Sequence, residues 1–387
     1  MYNRLVLLFF VIVTAASCRK TEYTTIAEPA YLRVFNNLDY NITVDTKDVP
    51  QPFLTMLIDP ELDADGVPVK AATVGDFLDK RAKWARPYPD AVSTVIYQTE
   101  YPGSAKVLAG PILNGYDLSS WAQVPSGKHR IMFYSRPFST VPFFDLPKDL
   151  RKLVMIDTTV NFGQREVYTM HILEKKFSTK EAGIYIRQED FVKRPFSDSM
   201  VYVNFYNLSS EGFSQNAVFK DKKYNQRLLD TMNVYSTLNY VNKFEGFSPI
   251  EGHKGNLMGR VIRSQSPEVQ PYYSFPLFPD TIPNRIYTGR TGQLFTFLSP
   301  EYTYATNPFI QYMGESNGRF SELAVLPEKV IYESAYQMQA DLLTGMVVTV
   351  RSGAYFNRSF STVNTIEYVN GKFFLTTIQR KYEPPVY

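Results

Sequence analysis

Apolar and polar residues along this chain come in short runs broken by Gly, Pro and Asn, a punctuation that predicts strands. The first run, Ala30-Tyr31-Leu32-Arg33-Val34-Phe35-Asn36-Asn37, ends at a turn-forming Asn pair. Lys106 to Leu108 leads through Gly110-Pro111 to Ile112-Leu113, and Asn114-Gly115 follows. Val124-Pro125-Ser126-Gly127 turns into Lys128 to Tyr134, and Leu153 to Phe162, Glu166 to Leu173 and Gly183 to Arg187 supply further strands. Leu342 to Val350 and Tyr355 to Thr362 come later, ahead of Ile366-Glu367-Tyr368-Val369, Asn370-Gly371 and Lys372 to Ile378. That last stretch is a hairpin, because a type I′ turn needs positive φ at both central residues and Asn-Gly supplies it. Helix is scarce. The best candidate is Val74 to Trp84, with Thr73 as N-cap, Asp76 three residues on, and Pro87 and Pro89 closing it.

Val201-Tyr202-Val203-Asn204-Phe205-Tyr206-Asn207 repeats the first strand: laid on Tyr31 and Tyr202, the two share Tyr, aliphatic, polar, apolar, aromatic, Asn. The ends correspond more loosely, Val167 to Leu173 against Phe373 to Ile378. The expectation is an all-β chain of two antiparallel immunoglobulin-like β-sandwich domains, residues 30–195 and 196–387, with one short helix in an insertion of the first.

The N-terminus has another pattern. Arg4 precedes an apolar run from Leu5 to Ala16, and Ser17-Cys18-Arg19-Lys20 follows. This is a secretory signal, residues 1–17, because 12 apolar residues fall short of the roughly 20 that cross a bilayer as a helix. Cys18 is the only cysteine, and Ala15-Ala16-Ser17 before it looks like a bacterial lipobox, which implies lipidation at the cysteine sulfur. Residues 18–29, polar and ending at Pro29, read as a tether. With Cys18 acylated no disulfide forms, so packed cores must hold the exported body of about 370 residues.

Composition narrows the function. The 41 basic and 38 acidic residues are spread without a like-charge run, which argues against nucleic acid and a polybasic membrane patch. The hydrophobic fraction of 44% belongs to a folded body, and 28 Tyr with 28 Phe favour strands.

Gly110-Pro111-Ile112, Tyr116-Asp117-Leu118, Pro125-Ser126-Gly127-Lys128-His129-Arg130 and Tyr168-Thr169-Met170-His171, after the first strand, carry a resemblance. Over residues 30–175, with an echo from 200 onward, the chain resembles lipoproteins of the Bacteroidota, most closely the domain-of-unknown-function family 4397. The resemblance implies β-sandwich character, repeated copies, an outer-membrane lipid anchor and no catalytic residues to carry over. Lipoproteins of this type often face outward behind a charged sorting signal, of which Lys20 and Glu22 are a faint version.

Several motifs invite chemistry. Gly314-Glu315-Ser316-Asn317-Gly318 matches a nucleophile elbow, but His129, His171 and His253 all precede Ser316, and Arg319-Phe320-Ser321-Glu322 lacks the small residues that let a helix pack close behind it. The three histidines lack metal-ligand spacing, so no metal and no cofactor is expected. Asp59 to Gly66 resembles the first half of a calcium loop, yet Ala72 stands where the closing carboxylate is needed, and a solvated acidic turn is the plainer reading. Aromatics remain. Pro271-Tyr272-Tyr273-Ser274-Phe275-Pro276 offers Tyr272, Tyr273 and Phe275, and Trp121 lies near a loop. Exposed, such rings stack on sugars or anchor proteins; packed, they cover a sandwich edge. The functional expectation is a non-catalytic binding module for glycan or protein at the cell envelope. The alternative is an assembly subunit that pairs through sheet edges.

Overall fold

The computed structural model describes residues 26–38, 51–76, 100–101, 112–113, 116–117, 121–189 except 138 and 140, and 200–213. It further describes 230–242, 246–276 except 265, 267 and 269, then 291–298, 300, 319–322, 324–327, 343–352, 358–369 and 372–382. Up to residue 189 the strands are β1 (Ala30–Asn36), β2 (Gln51–Leu62), β3 (Pro68–Gly75), β4 (Glu100–Tyr101), β5 (Ile112–Leu113) and β6 (Tyr116–Asp117). They continue with β7 (Ala122–Val124), β8 (Gly127–Arg136), β9 (Val154–Phe162), β10 (Val167–Lys176) and β11 (Glu181–Gln188). From residue 200 come β12 (Met200–Asn207), β13 (Thr231–Asn242), β14 (Gly246–Pro249), β15 (Asn256–Ile262), β16 (Tyr273–Pro276) and β17 (Thr291–Leu298). The last are β18 (Arg319–Glu322), β19 (Ala324–Pro327), β20 (Leu343–Ser352), β21 (Arg358–Val369) and β22 (Lys372–Tyr382).

The fold is all-β. Among the described residues helix is confined to two 3-10 turns, Phe143–Asp145 and Lys148–Arg151. The expected helix from Val74 does not start there: Thr73 and Val74 lie in β3, opposite Ile58 and Leu57 of β2. β-branched residues suit that pleated edge, and the Asp76 carboxylate that would have closed a capping box is used elsewhere. The rest of that segment, 77–84, lies outside the described residues, as do Ser316, Cys18 and the expected boundary at 195/196.

Up to residue 189 two sheets face each other, β11-β10-β1-β4 with β7 also on β1, and β3-β2-β8-β9. Their shared core holds Leu32 and Val34 of β1, Met170 and Ile172 of β10, Met56 and Ile58 of β2, and Ile131 and Phe133 of β8. From residue 200 the orders are β16-β12-β21-β22-β18 and β14-β13-β17-β20-β19, with β15 also on β13. Phe205 of β12 stands edge-on against Phe295 and Phe297 of β17, at 5.0 and 5.5 Å between centroids.

Wholly antiparallel sheets were expected, and that is corrected. β1 runs parallel to β10, Tyr31 opposite Val167, and β12 runs parallel to β21, Tyr202 opposite Ser361. Parallel pairs need cover on both faces, and β1 is buried at all seven positions. The correspondence of the strand ends also shifts by one strand. The counterpart of β10 is β21, a single strand where two were expected, and its hairpin partner β22 answers to β11. In order, β11-β10-β1-β7 matches β22-β21-β12-β16, and β3-β2-β8-β9 matches β15-β13-β17-β20.

A second, smaller core lies on the outer face of β2 and β8. Leu57, Met132 and Tyr134 are covered there by Phe143 and Leu146 of the connection from β8 to β9. Arg136 staples that cover. Its guanidinium, 2% exposed, pairs with Asp76 and donates to the carbonyls of Val141 and, at 3.2 Å, Ser139. Asp76 also accepts from Thr55 Oγ1 at 2.7 Å and the Phe143 amide at 2.6 Å.

Candidate functional site

Side chains alternate across a strand, so the residues of β1, β10 and β11 that do not face the core share the other face: Arg33 and Phe35, Thr169 and His171, Tyr185 and Arg187. All are buried. Arg33 lies over Trp121 at 5.0 Å and over Phe35 at 5.1 Å. Phe35 stacks on His171 at 5.2 Å, His171 meets Tyr185 at 6.1 Å, and Tyr185 meets Tyr206 of β12 at 6.4 Å. Arg187 covers the Tyr206 ring at 4.6 Å and pairs with Glu189 at 2.8 Å. This layer joins the two halves of the chain. Beside it the Glu211 amide donates to the Lys175 carbonyl at 2.8 Å, and the Phe177 amide to the Glu211 carbonyl at 2.9 Å.

The electrostatics of the layer are those of a sealed core. Burial alone would lower the Arg187 pKa, but the Glu189 carboxylate overrides it and holds the guanidinium above its ordinary value. Burial pushes the Tyr185 phenol up to about 12, with Arg187 pulling the other way. Arg187 and Glu189 escaped the sequence reading. Their spacing of two put them on one face of a strand, but a strand pattern does not say which face another unit covers.

The residues singled out from sequence separate into packed and outlying positions. Trp121 is corrected as a ligand platform: it is 2% exposed, under Arg33. Tyr273 is half-buried in β16 and lies on Gly259 of β15, where a Cβ would collide with its hydroxyl oxygen. Tyr272 is half-buried. Phe275 sits in β16 opposite Val201, and its side chain lies outside the described residues. Trp121 and Tyr272 nevertheless hold equivalent places. Tyr31 pairs with Gln123 and Tyr202 with Ser274, so each ring comes two residues before those partners, beside β1 and β12 respectively.

His129 bridges strands, with Nδ1 at 2.6 Å from Asp59 Oδ2 and Nε2 at 3.1 Å from the Ser126 carbonyl. Asp59, at φ 50°, interrupts the pairing of β2 with β3 and also accepts the Arg130 amide at 3.0 Å. The calcium-like loop closes on a side chain instead: Lys148 Nζ lies 2.7 Å from Asp63 and 2.5 Å from Asp65. Asp63 Oδ1 takes the amides of Asp65 and Val67, both at 2.9 Å. That Lys148 hydrogen bond, then the Val67 amide, holds the Asp63 carboxyl below its usual range. Among the described residues no group of His, Cys, Asp and Glu converges as metal ligands would.

Exposed aliphatics gather at the borders of the sheets. Val69 of β3 is 52% exposed, Leu153 beside β9 48%, and Leu257 and Ile262 of β15 60% and 57%. The borders also differ between the halves. β18 pairs with β22 and β19 with β20, so the segment 319–327 crosses from one sheet to the other along one side. The counterparts of β22 and β20 are β11 and β9, which end their sheets among the described residues.

No family model matches the chain, and no curated protein matches it. Among solved structures, one from Bacteroides uniformis described as a "putative cell adhesion protein" aligns over 92% of this chain and all of its own, with 8% identity and a TM-score of 0.15. A likeness at that TM-score does not extend to the fold.

Proposed function

We propose that this chain is a non-catalytic lipoprotein, anchored through Cys18 to the outer membrane, that works by protein–protein contact at the borders of its sheets. In this reading residues 30–195 and 196–387 are two tandem copies of one immunoglobulin-like sandwich, as the resemblance to Bacteroidota lipoproteins implies. The observation that carries the binding mode is the contrast of borders: one side closed by 319–327 in the second copy, ending in β9 and β11 in the first. Strand borders present backbone donors and acceptors to a partner chain.

The glycan reading has less support, because Trp121 and Tyr273 are spent on packing. Sugar platforms need rings standing clear of the protein.

The test is site-specific photo-crosslinking in living cells, with the reactive group at Val154 of β9 and at Gln188 of β11, and at buried Met170 as control. Discrete protein adducts from the border positions alone are expected. Saturable binding on a glycan panel, abolished by Tyr272→Ala, would instead return the function to sugar recognition.

A further inference from the structure

The two copies differ in where one connection goes. In the second, the chain between β17 and β20 supplies β18 and β19, which close one side of the sandwich. In the first, the equivalent connection, from β8 to β9, folds over the outer face instead, with Phe143 and Leu146 in the small core and Arg136 as its staple. Among the described residues, the side that 319–327 closes in one copy therefore has no closing strand in the other.

Register places the gap. Val167 answers to Ser361, so through the hairpins Arg187 answers to Ile378 and Tyr185 to Thr376. β18 pairs with Phe374 to Thr377, whose equivalents are Gly183 to Ile186 of β11. Those four residues form the centre of β11. Several other terminal strands carry devices that discourage pairing: β3 opens on Pro68 and bears Lys70, and β14, β16 and β19 end in Pro249, Pro276 and Pro327. β11 has eight residues, Glu-Ala-Gly-Ile-Tyr-Ile-Arg-Gln, with no proline and no lysine. Its one exposed charge is Glu181 at one end, with exposed Gln188 at the other.

Resting on the edge-pairing function above, we propose that β11 pairs antiparallel with β11 of a second copy of this chain, about a two-fold axis that sets Ile184 opposite Ile184. Antiparallel pairing is what the same position accepts from β18 in the other copy. A two-fold axis satisfies both borders at once and closes the assembly. About that axis Ala182 of one chain falls opposite Ile186 of the other, and Glu181 falls opposite Arg187, so a carboxylate meets a cation rather than its like. Ala182, Ile184 and Ile186, half-buried against the core, then continue their apolar face into the partner.

The test is sedimentation equilibrium of the full chain in mild detergent, from about 1 to 100 µM, beside the Gln188 photo-crosslink. A monomer–dimer equilibrium is expected, with an adduct of twice the chain mass in which Gln188 is cross-linked at or beside Lys180. Ala182→Lys, an edge-guarding charge, should weaken dimerisation at least about tenfold while thermal unfolding shows the fold intact. Should that variant fail to fold, the cross-linked peptide decides alone. A monomer at every concentration, or a dimer cross-linked outside β11, overturns the pairing. An adduct with a different protein and no self-adduct overturns the second copy as occupant but leaves edge pairing standing; no adduct at Val154 or Gln188 removes both.

Discussion

The first strands of the two halves, β1 and β12, begin from nearly the same sequence and meet different neighbours. On β1, Arg33 lies between Trp121 and Phe35, and the adjoining strands add the buried Arg187–Glu189 pair. At the places equivalent to Arg33, Trp121 and Arg187, the second half has Asn204, Tyr272 and Ile378. One half thus buries cations under aromatic rings, where the other has Asn204, half-buried Tyr272 and, by register, Ile378. The same strand order tolerates both, since each layer needs only full cover and satisfied polar groups. Charge is tolerated in the first copy because Glu189 and the Tyr206 ring meet Arg187 there.

Exchanging Arg187 for the residue at its counterpart tests that contrast most severely. Arg187→Ile leaves Glu189 buried without its cation and should cost about 3–5 kcal/mol of unfolding free energy. Adding Glu189→Leu should recover most of it, because replacing both partners of a buried pair by packed apolar groups is often neutral. Denaturant titration of the single and double variants reads both; equal losses in the two would refute the role given to charge.

Next in size is the aromatic pair. Trp121→Ala should cost about 3–5 kcal/mol, as for a large buried ring, whereas Tyr272→Ala at the half-buried equivalent should cost about 1 kcal/mol. Similar losses at both would mean that the two sites are packed alike. Gly259→Ala should follow, at about 1–3 kcal/mol from overpacking against the Tyr273 ring, with Tyr273→Ala in the same chain relieving the clash.

Titration gives the finer distinctions. Tyr185 ionises in the folded protein at about 12, against about 10 when unfolded. Its neutral form is therefore favoured by folding. Stability should hold below about pH 10 and fall as pH rises from there towards about 12, and Tyr185→Phe should remove that part of the alkaline limb. On the exposed sheet the sign is opposite. The Arg130 hydrogen bonds at 2.9 and 2.6 Å hold the Asp157 carboxyl below its ordinary value. Its contribution is complete above about pH 4 and lost as pH falls through the lowered pKa. Asp157→Asn should flatten this shallow acid limb, read by urea midpoints between about pH 5 and 2.

Strand existence was legible wherever the pattern was local. The hairpin around Asn370-Gly371 closes Val369 on Lys372 as expected, because its turn chemistry lies in adjacent residues. The likeness of Ala30–Asn36 to Met200–Asn207 foretold two strands of equivalent place, since a repeated pattern of apolar and polar residues repeats its burial demands. Partners were not legible. Nothing in Val167 to Leu173 says that it lies parallel to β1, and Thr73 with Asp76 reads as a helix cap until Asp76 meets Arg136 from 60 residues away. Trp121 read as a candidate surface ring because Arg33, which covers it, is distant in the chain.

An all-β chain, most of its turns and the likeness of β1 to β12 were legible in the sequence, because these follow from side-chain alternation and turn residues a few positions apart. Beyond the hairpin at Asn370-Gly371, pattern alone placed no strand beside another. Contacts between distant segments gave each first strand its parallel partner, packed Trp121 and Tyr273, and buried Arg187 beside Glu189. Those outcomes depend on which faces and borders other segments cover. Cover is a property of the folded whole, set by contacts between residues far apart along the chain.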